Sequence, residues 1–120
     1  MRPNGKDAAL LWDMLVYART VRRLVAGKTL NEYLADEMLR LATERAIEII
    51  GEAAYHVSDE FRHAHADIPW RAIAGQRHIL AHEYGALDHV KVWKVATEHV
   101  FDLISKIEPL VPPPPADSAG

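Results

Sequence analysis

The sequence contains no cysteine among its 120 residues. That absence excludes disulfide bonds, thiolate metal sites and cysteine nucleophiles. No apolar run approaches the roughly 20 residues that a membrane-spanning helix needs. The first stretch, MRPNGKDAALLWDML, also meets a polar residue too early for the apolar part of a secretory signal. We therefore expect a cytoplasmic protein that does not associate with a membrane.

An excess of positive charge is also lacking, because 14 Lys and Arg stand against 17 Asp and Glu, for a formal net charge of -3. Bulk attraction therefore does not bring a polyanion to this protein. Any binding of nucleic acid must come from a local basic cluster or from a few well-placed arginines. Hydrophobic residues make up 49% of the chain. This share and the length fit a single domain with one core.

No window of the sequence alternates between apolar and polar residues with a period of two, and the apolar residues recur almost throughout at helical spacing. The fold class that this predicts is all-α, an up-and-down bundle of four main helices with a short extra helical turn near Ser58. Gly27 suits the end of the first helix and Asp88 the start of the last. Thr29 and Glu32 have the spacing of a capping box. The predicted main helices cover about residues 8–26, 36–57, 69–85 and 88–107.

We place the helical domain at residues 1–109 and a disordered, proline-rich tail, LVPPPPADSAG, at residues 110–120. Along the long second helix, a predicted buried face consists of Leu39, Ala42, Ala46, Ile49, Ile50 and Ala53. A polar stripe of Arg45, Glu48 and Glu52 runs beside it. Such a stripe is typical of surface ion pairs, and it could also orient groups on a neighbouring helix.

Residues 77–84, RHILAHEY, concentrate polar chemistry in about two helical turns. His78 and His82 are four residues apart and therefore share a helix face, which is the spacing of a two-histidine metal site. The zincin motif would need a glutamate where Ile79 stands. A metal site completed by His63 and His65 is one alternative reading, and a pair of histidines without metal is the more common one.

Arg77 and His82 together have the chemistry that cleaves RNA without a metal. An imidazole can take the proton from a ribose 2′-hydroxyl, and a guanidinium can hold the scissile phosphate and stabilise its developing charge. The two residues are five apart, however, which is about 140° around an ideal helix. From spacing alone, a solvated or interface face is the simpler interpretation.

Three segments of the sequence resemble the HepT toxins of the HEPN superfamily. They are ERAIEIIGEAA at 44–54, DIPWRAIAGQRHILAHEYGALD at 67–88, and the pair Val92–Trp93. The hallmark of that family is an Arg, four residues, a His, one residue and a Tyr, which Arg77, His82 and Tyr84 match. The similarity extends over about residues 8–110. His78 stands where the family often has asparagine.

The resemblance implies a HEPN helical domain that forms a homodimer, with the two motifs facing a shared cleft. It implies a metal-independent endoribonuclease without a cofactor, acting as the toxin of a toxin–antitoxin pair. The RNA substrate would be held by Arg77 and deprotonated by His82, with His78 as an accessory group. The polar stripe on the second helix adds Glu48 and Glu52 as further candidate accessory groups. The implied partner is a minimal nucleotidyltransferase antitoxin, which in some members transfers AMP to the motif tyrosine, here Tyr84.

Two other functions fit the same residues. A non-catalytic HEPN module would keep the fold and use the cleft to bind RNA or a nucleotidyltransferase. A metal-binding bundle would use His78 and His82 as ligands.

Overall fold

In a computed structural model, the chain is described at residues 3–82 and 88–113, with the side chains before position 88 described as far as Arg77. The described part contains helices and no strand, which confirms the all-α prediction. The helices are α1 (Gly5–Val25), α2 (Leu30–Ala35), α3 (Glu37–His56), α4 (Asp59–Ala64), α5 (Trp70–His82), α6 (His89–Lys94) and α7 (Val100–Ile107).

The helix starts follow local side-chain chemistry. In each case a side-chain oxygen accepts a hydrogen bond from a backbone N–H two or three residues later, at Asn4, Thr29, Asp36, Ser58 and Asp88. The predicted capping box is present, and the Thr29 N–H that donates to Glu32 lowers the pKa of that carboxyl. Gly27 has a φ of 70°. Glycine adopts this left-handed conformation most easily. The helix boundaries predicted outside the region 83–87 therefore agree with the structure within about three residues.

The core is formed mainly where α3 packs between α1 and α5, and α7 also packs against α1. The largest fully buried side chains include Leu11, Met14, Leu15, Tyr33, Phe61 and Ile107. Two residues of the predicted inner face of α3 lie outside the core, because Ala42 is exposed and Ile49 is only partly buried. Thr43 and Ile47 are buried instead, and the Thr43 hydroxyl donates to the Leu39 carbonyl at 2.7 Å. That bond satisfies the polar group inside the core.

A second buried polar group fastens α1 to the start of α4. The carboxylate of Asp7 is 1% exposed and accepts hydrogen bonds from the Ser58 N–H at 2.9 Å and the Ser58 hydroxyl at 2.6 Å. Ser58 in turn caps α4 by accepting from the Phe61 N–H. The contact joins residues 51 positions apart and therefore fixes the first helix relative to the connector before α5.

The predicted last helix is interrupted by one turn of π-helix at Val95–His99. In this turn the N–H of Val100 donates to the Val95 carbonyl, five residues earlier. After α7, a 3-10 turn covers Glu108–Leu110, and Leu110 and Val111 pack against the core, although the sequence predicts both as part of the tail. Residues 114–120 lie outside the described part. None of the described helices has the length and apolar character needed to span a lipid bilayer.

Candidate active site

The place where α3 and α5 touch most closely sets the position of Arg77. Gly51 on α3 is buried, and a Cβ added there would lie 2.8 Å from the Ile73 carbonyl oxygen and 3.0 Å from the Arg77 nitrogen. Real Cβ atoms do not approach other heavy atoms this closely. The missing side chain thus lets the two backbones meet, and it brings Arg77 beside the next exposed turn of α3.

On that turn, the Arg77 guanidinium lies over an aromatic ring. Its Cζ is 3.9 Å from the centroid of the Tyr55 ring. This is the geometry of a cation–π contact. Among the described residues, the nearest carboxylate oxygen is Glu52 Oε2, 3.5 Å from Arg77 Nη1. Arg77 Nε is buried and has no hydrogen-bond partner among the described residues. Within the described residues, the cation is therefore held mainly by its face, and no side chain accepts a hydrogen bond from the N–H groups at its edge.

Glu52 shares its carboxylate between two basic side chains. Its Oε1 lies 3.0 Å from His56 Nε2, and its Oε2 faces Arg77. The imidazole of His56 also meets the edge of the Tyr55 ring, with centroids 5.1 Å apart. Glu52, Tyr55, His56 and Arg77 thus form one connected group, which we call the Arg77 cluster.

Tyr55 and His56 are site residues that the sequence does not predict. The sequence favours a surface position for His56, and it is exposed, but it belongs to the cluster. The available signal is spacing, since both residues follow Glu52 by three and four positions and so share its helix face. What spacing cannot supply is the approach of Arg77 from another helix.

The structure separates the two predicted accessory glutamates. Glu52 faces Arg77, whereas Glu48 forms an ion pair with Arg45 one turn earlier on α3. Surface pairs at this spacing contribute a few tenths of a kcal/mol. Within the described residues, Glu52 is thus the carboxylate that contacts Arg77.

The remaining predicted site residues fall where side chains are not described. The backbone of His78 and His82 belongs to α5, but their side chains lie outside the described part, as does the whole of Tyr84. The helix α5 is continuous through His82. The backbone positions of Arg77 and His82 therefore differ by about 140° around the helix. The assignments of His78, His82 and Tyr84 remain predictions.

Metal binding has no support among the described side chains, where no group of three His, Asp or Glu is placed to hold an ion. His63 is exposed on α4. His65 stacks on Phe61 with ring centroids 4.4 Å apart, and its carbonyl accepts the indole N–H of Trp70. The alternative metal site at His78 and His82 involves side chains outside the described part of the structure.

A separate, mainly apolar cleft of about 200 Å³ lies between α3, α5 and the π-helical turn. Its walls include Ile47, Ile73, Val95 and Leu103, with Gln76 and His99 as polar members. Arg77 and its neighbours on α3 do not line it. Its described lining residues include no Lys or Arg to bind a phosphate, so the Arg77 cluster is the better candidate site.

The sequence matches a family of ribonucleases over a range that includes the helix carrying Arg77. Residues 14–110 match the HepT-like family, described as Ribonuclease HepT-like, and the chain belongs to this family. The match extends from α1 to α7, and its range includes Arg77, His82 and Tyr84.

Several curated proteins are similar over most of their length. "Probable ribonuclease HepT" of Thermococcus cleftensis is 38% identical over 110 residues, covering 92% of this chain and 98% of its own. "Putative RNase MJ1380" of Methanocaldococcus jannaschii is 35% identical over 100 residues, covering 83% and 92%. "Putative RNase TTE0752" of Caldanaerobacter subterraneus is 32% identical over 87 residues, covering 72% and 78%. No solved structure matches the chain significantly.

Proposed function

We propose that this ribonuclease is a metal-independent endoribonuclease in which Arg77 binds the scissile phosphate and His82 transfers the proton. The observation that carries the proposal is the placement of the Arg77 guanidinium. It is held through its face by Tyr55, its side chain is 32% exposed, and no carboxylate oxygen of the described residues lies closer than 3.5 Å. A guanidinium held in this way can offer two parallel N–H donors to a phosphate.

The chemistry follows from these two groups. His82 takes the proton of the ribose 2′-hydroxyl, the 2′-oxygen attacks phosphorus, and the bond from phosphorus to the 5′-oxygen breaks. The 5′-oxygen leaves as a hydroxyl group with a proton from solvent, the protonated His82 returns its proton to solvent, and a 2′,3′-cyclic phosphate remains on the other product. Arg77 stabilises the charge that accumulates on the phosphoryl oxygens.

A homodimer accounts for the angle between Arg77 and His82 on α5. In a two-fold assembly, the histidine of one protomer can face the arginine of the other across a shared cleft. The start of α3 supports this arrangement, because Met38 is 82% exposed and Leu41 57%. Adjacent exposed apolar side chains of this kind fit a contact with a second copy of the chain.

We further propose that the protein acts in the cytoplasm as the toxin of a toxin–antitoxin pair. Its antitoxin would be a nucleotidyltransferase that transfers AMP from ATP to the Tyr84 hydroxyl, with release of pyrophosphate. The added phosphate would sit seven residues from Arg77, nearly eclipsed with it on a helix. It would compete with RNA for the same guanidinium.

Incubation of the purified protein with a 5′-labelled RNA in excess chelator tests the catalytic assignment. We expect cleavage by the wild type with cyclic-phosphate ends, and loss of cleavage by about 100-fold or more in His82→Ala. His63→Ala is the matched control, because His63 is an exposed histidine on α4 outside the cluster. It should cleave at the wild-type rate.

Other outcomes identify the alternatives. RNA binding without cleavage, unchanged in His82→Ala, would point to a non-catalytic module. Cleavage that chelator abolishes and a transition metal restores would contradict the metal-independent mechanism.

A further inference from the structure

We propose that Tyr55 is a positioning residue of the ribonuclease site, whose ring holds the guanidinium of Arg77 ready for the scissile phosphate. The proposal rests on the proposed function and deepens it. It concerns a residue on α3 that the Arg-x4-His-x-Tyr motif does not contain. Tyr55 acts through Arg77 and needs no contact with RNA.

The stack of Arg77 on Tyr55 leaves the edge of the guanidinium open. A guanidinium carries all five of its N–H donors in its plane, pointing outward from the edge. With Cζ 3.9 Å from the ring centroid, Tyr55 contacts the face of this plane. The contact therefore restrains the side chain of Arg77 without occupying any donor that a phosphate would use.

Among the described residues, Glu52 is the only carboxylate that contacts Arg77, and the contact is loose. Glu52 Oε2 is 3.5 Å from Nη1. That distance is longer than an ordinary N–H···O hydrogen bond. The other oxygen of Glu52 is 3.0 Å from His56 Nε2. A carboxylate bound tightly to Arg77 would compete with the phosphate, whereas an aromatic face does not. Tyr55 thus restrains Arg77 at no cost to phosphate binding.

Tyr55 contributes little to the core. Its side chain is half exposed, at 50%, whereas Tyr33, the other tyrosine of the α2–α3 region, is fully buried. Loss of the Tyr55 ring should therefore leave the fold intact and change the freedom of Arg77.

The test compares Tyr55→Phe and Tyr55→Leu in the full chain, with Phe101→Leu as the control. Phe101 is a comparably exposed aromatic, at 43%, on α7. We expect Tyr55→Leu to lower kcat for RNA cleavage roughly three- to thirty-fold, the range of a cation–π contact, with KM changed less. Tyr55→Phe keeps the ring face and should stay within about twofold of the wild type. Phe101→Leu should leave kcat unchanged.

Two results in this series would overturn the proposal. One is wild-type kcat in Tyr55→Leu. The other is equal impairment in Tyr55→Phe and Tyr55→Leu, which would assign the effect to the hydroxyl instead of the ring.

A readout without RNA separates this proposal from the ribonuclease function itself. The δ-methylene protons of Arg77 should be shifted upfield in the NMR spectrum by the ring current of the aromatic side chain at position 55. The shift should persist in Tyr55→Phe and disappear in Tyr55→Leu. A wild type that shows the shift but does not cleave RNA would contradict the proposed function and leave the stack established. An unshifted Arg77 in the wild type would contradict the positioning role of Tyr55.

Discussion

At the residue scale, the absence of a Cβ at Gly51 lets the backbone of α5 approach α3 beside Arg77. An alanine Cβ at position 51 would lie 2.8 Å from the Ile73 carbonyl oxygen and 3.1 Å from the Arg77 Cβ. The first of these neighbours is backbone and cannot move without its helix. The contact of Arg77 with Tyr55 and Glu52 therefore depends on Gly51.

We expect Gly51→Ala to lower the free energy of unfolding by about 1–3 kcal/mol, the usual cost of overpacking. It should also reduce RNA cleavage, because α5 must move away from the Arg77 cluster. Chemical denaturation and a cleavage assay measure the two effects.

Gly75→Ala is the matched control, since Gly75 lies on the same helix as Arg77 and an added Cβ there meets nothing within 4 Å. It should raise the free energy of unfolding by about 0.5–1 kcal/mol through helix propensity. Equal stability of the two variants would show that α3 and α5 are farther apart than described.

At the scale of single elements, the short helix α2 is attached to the rest of the molecule by Tyr33. Its ring is fully buried and lies 5.1 Å from the Trp93 ring. Its hydroxyl has no hydrogen-bond partner among the described residues. Burial, and secondly the carboxylate of Glu44, raise the pKa of Tyr33 well above the ordinary 10.0. Both effects disfavour the charged phenolate.

The raised pKa of Tyr33 makes the folded protein less stable at alkaline pH. Above a pH of about 10, the unfolded chain ionises Tyr33 while the folded chain keeps it neutral, so the unfolded state is favoured. The stability contribution is complete below this pH and is lost progressively as the pH rises toward the folded-state pKa. Between about pH 9 and pH 11, the Tm of Tyr33→Phe should therefore fall less than the Tm of the wild type.

Tyr17→Phe is the control, because Tyr17 is only partly buried. It should follow the wild-type pH dependence. A Tyr33→Phe variant with the same alkaline loss of Tm as the wild type would show that the phenol ionises freely in the folded protein.

Some features of these helices can be predicted from the local sequence and others cannot. The capping residues Thr29 and Asp88 and the φ of Gly27 are readable from the sequence, because each depends on a few neighbouring residues. The π-helical turn at Val95–His99 is not, since its sequence, VATEH, continues an ordinary helical pattern. The burial of Thr43 cannot be predicted from the sequence either, because it depends on the hydrogen bond from its hydroxyl to the Leu39 carbonyl in the same helix.

The candidate site divides in the same way. The motif and the chemistry of RNA cleavage predict Arg77 and His82 as site residues. The position of Glu52 on a polar stripe predicts that it is an accessory residue of the site. Tyr55 and His56 join Arg77 only through the packing of α3 against α5, which no local pattern encodes. Residues that act through a tertiary contact therefore need the fold before they can be named.

At the scale of the whole molecule, the proposed dimer predicts that one site combines residues of two protomers. In a mixed dimer of Arg77→Ala and His82→Ala, one site would lose both groups and the other would keep both. A mixed dimer should then recover about half of the wild-type cleavage rate, although each variant alone is inactive. Co-expression of two differently tagged chains, purification through both tags and a cleavage assay measure this.

No recovery in a mixed dimer of confirmed composition would place both groups of each site on one protomer. A monomer at micromolar concentration that still cleaves RNA would contradict the shared cleft altogether. The companion control combines two differently tagged chains of His82→Ala, which must stay inactive.

The central claim is that Arg77 binds the phosphate in a ribonuclease that needs no metal, and the most direct measurement is the single-turnover cleavage rate of a labelled RNA in excess chelator. It compares the wild type with Arg77→Ala and with Arg71→Ala, an exposed arginine on the same helix outside the cluster. We predict cleavage by the wild type and by Arg71→Ala at similar rates, and a loss of about 100- to 1,000-fold in Arg77→Ala. Cleavage by Arg77→Ala at the wild-type rate would contradict the claim.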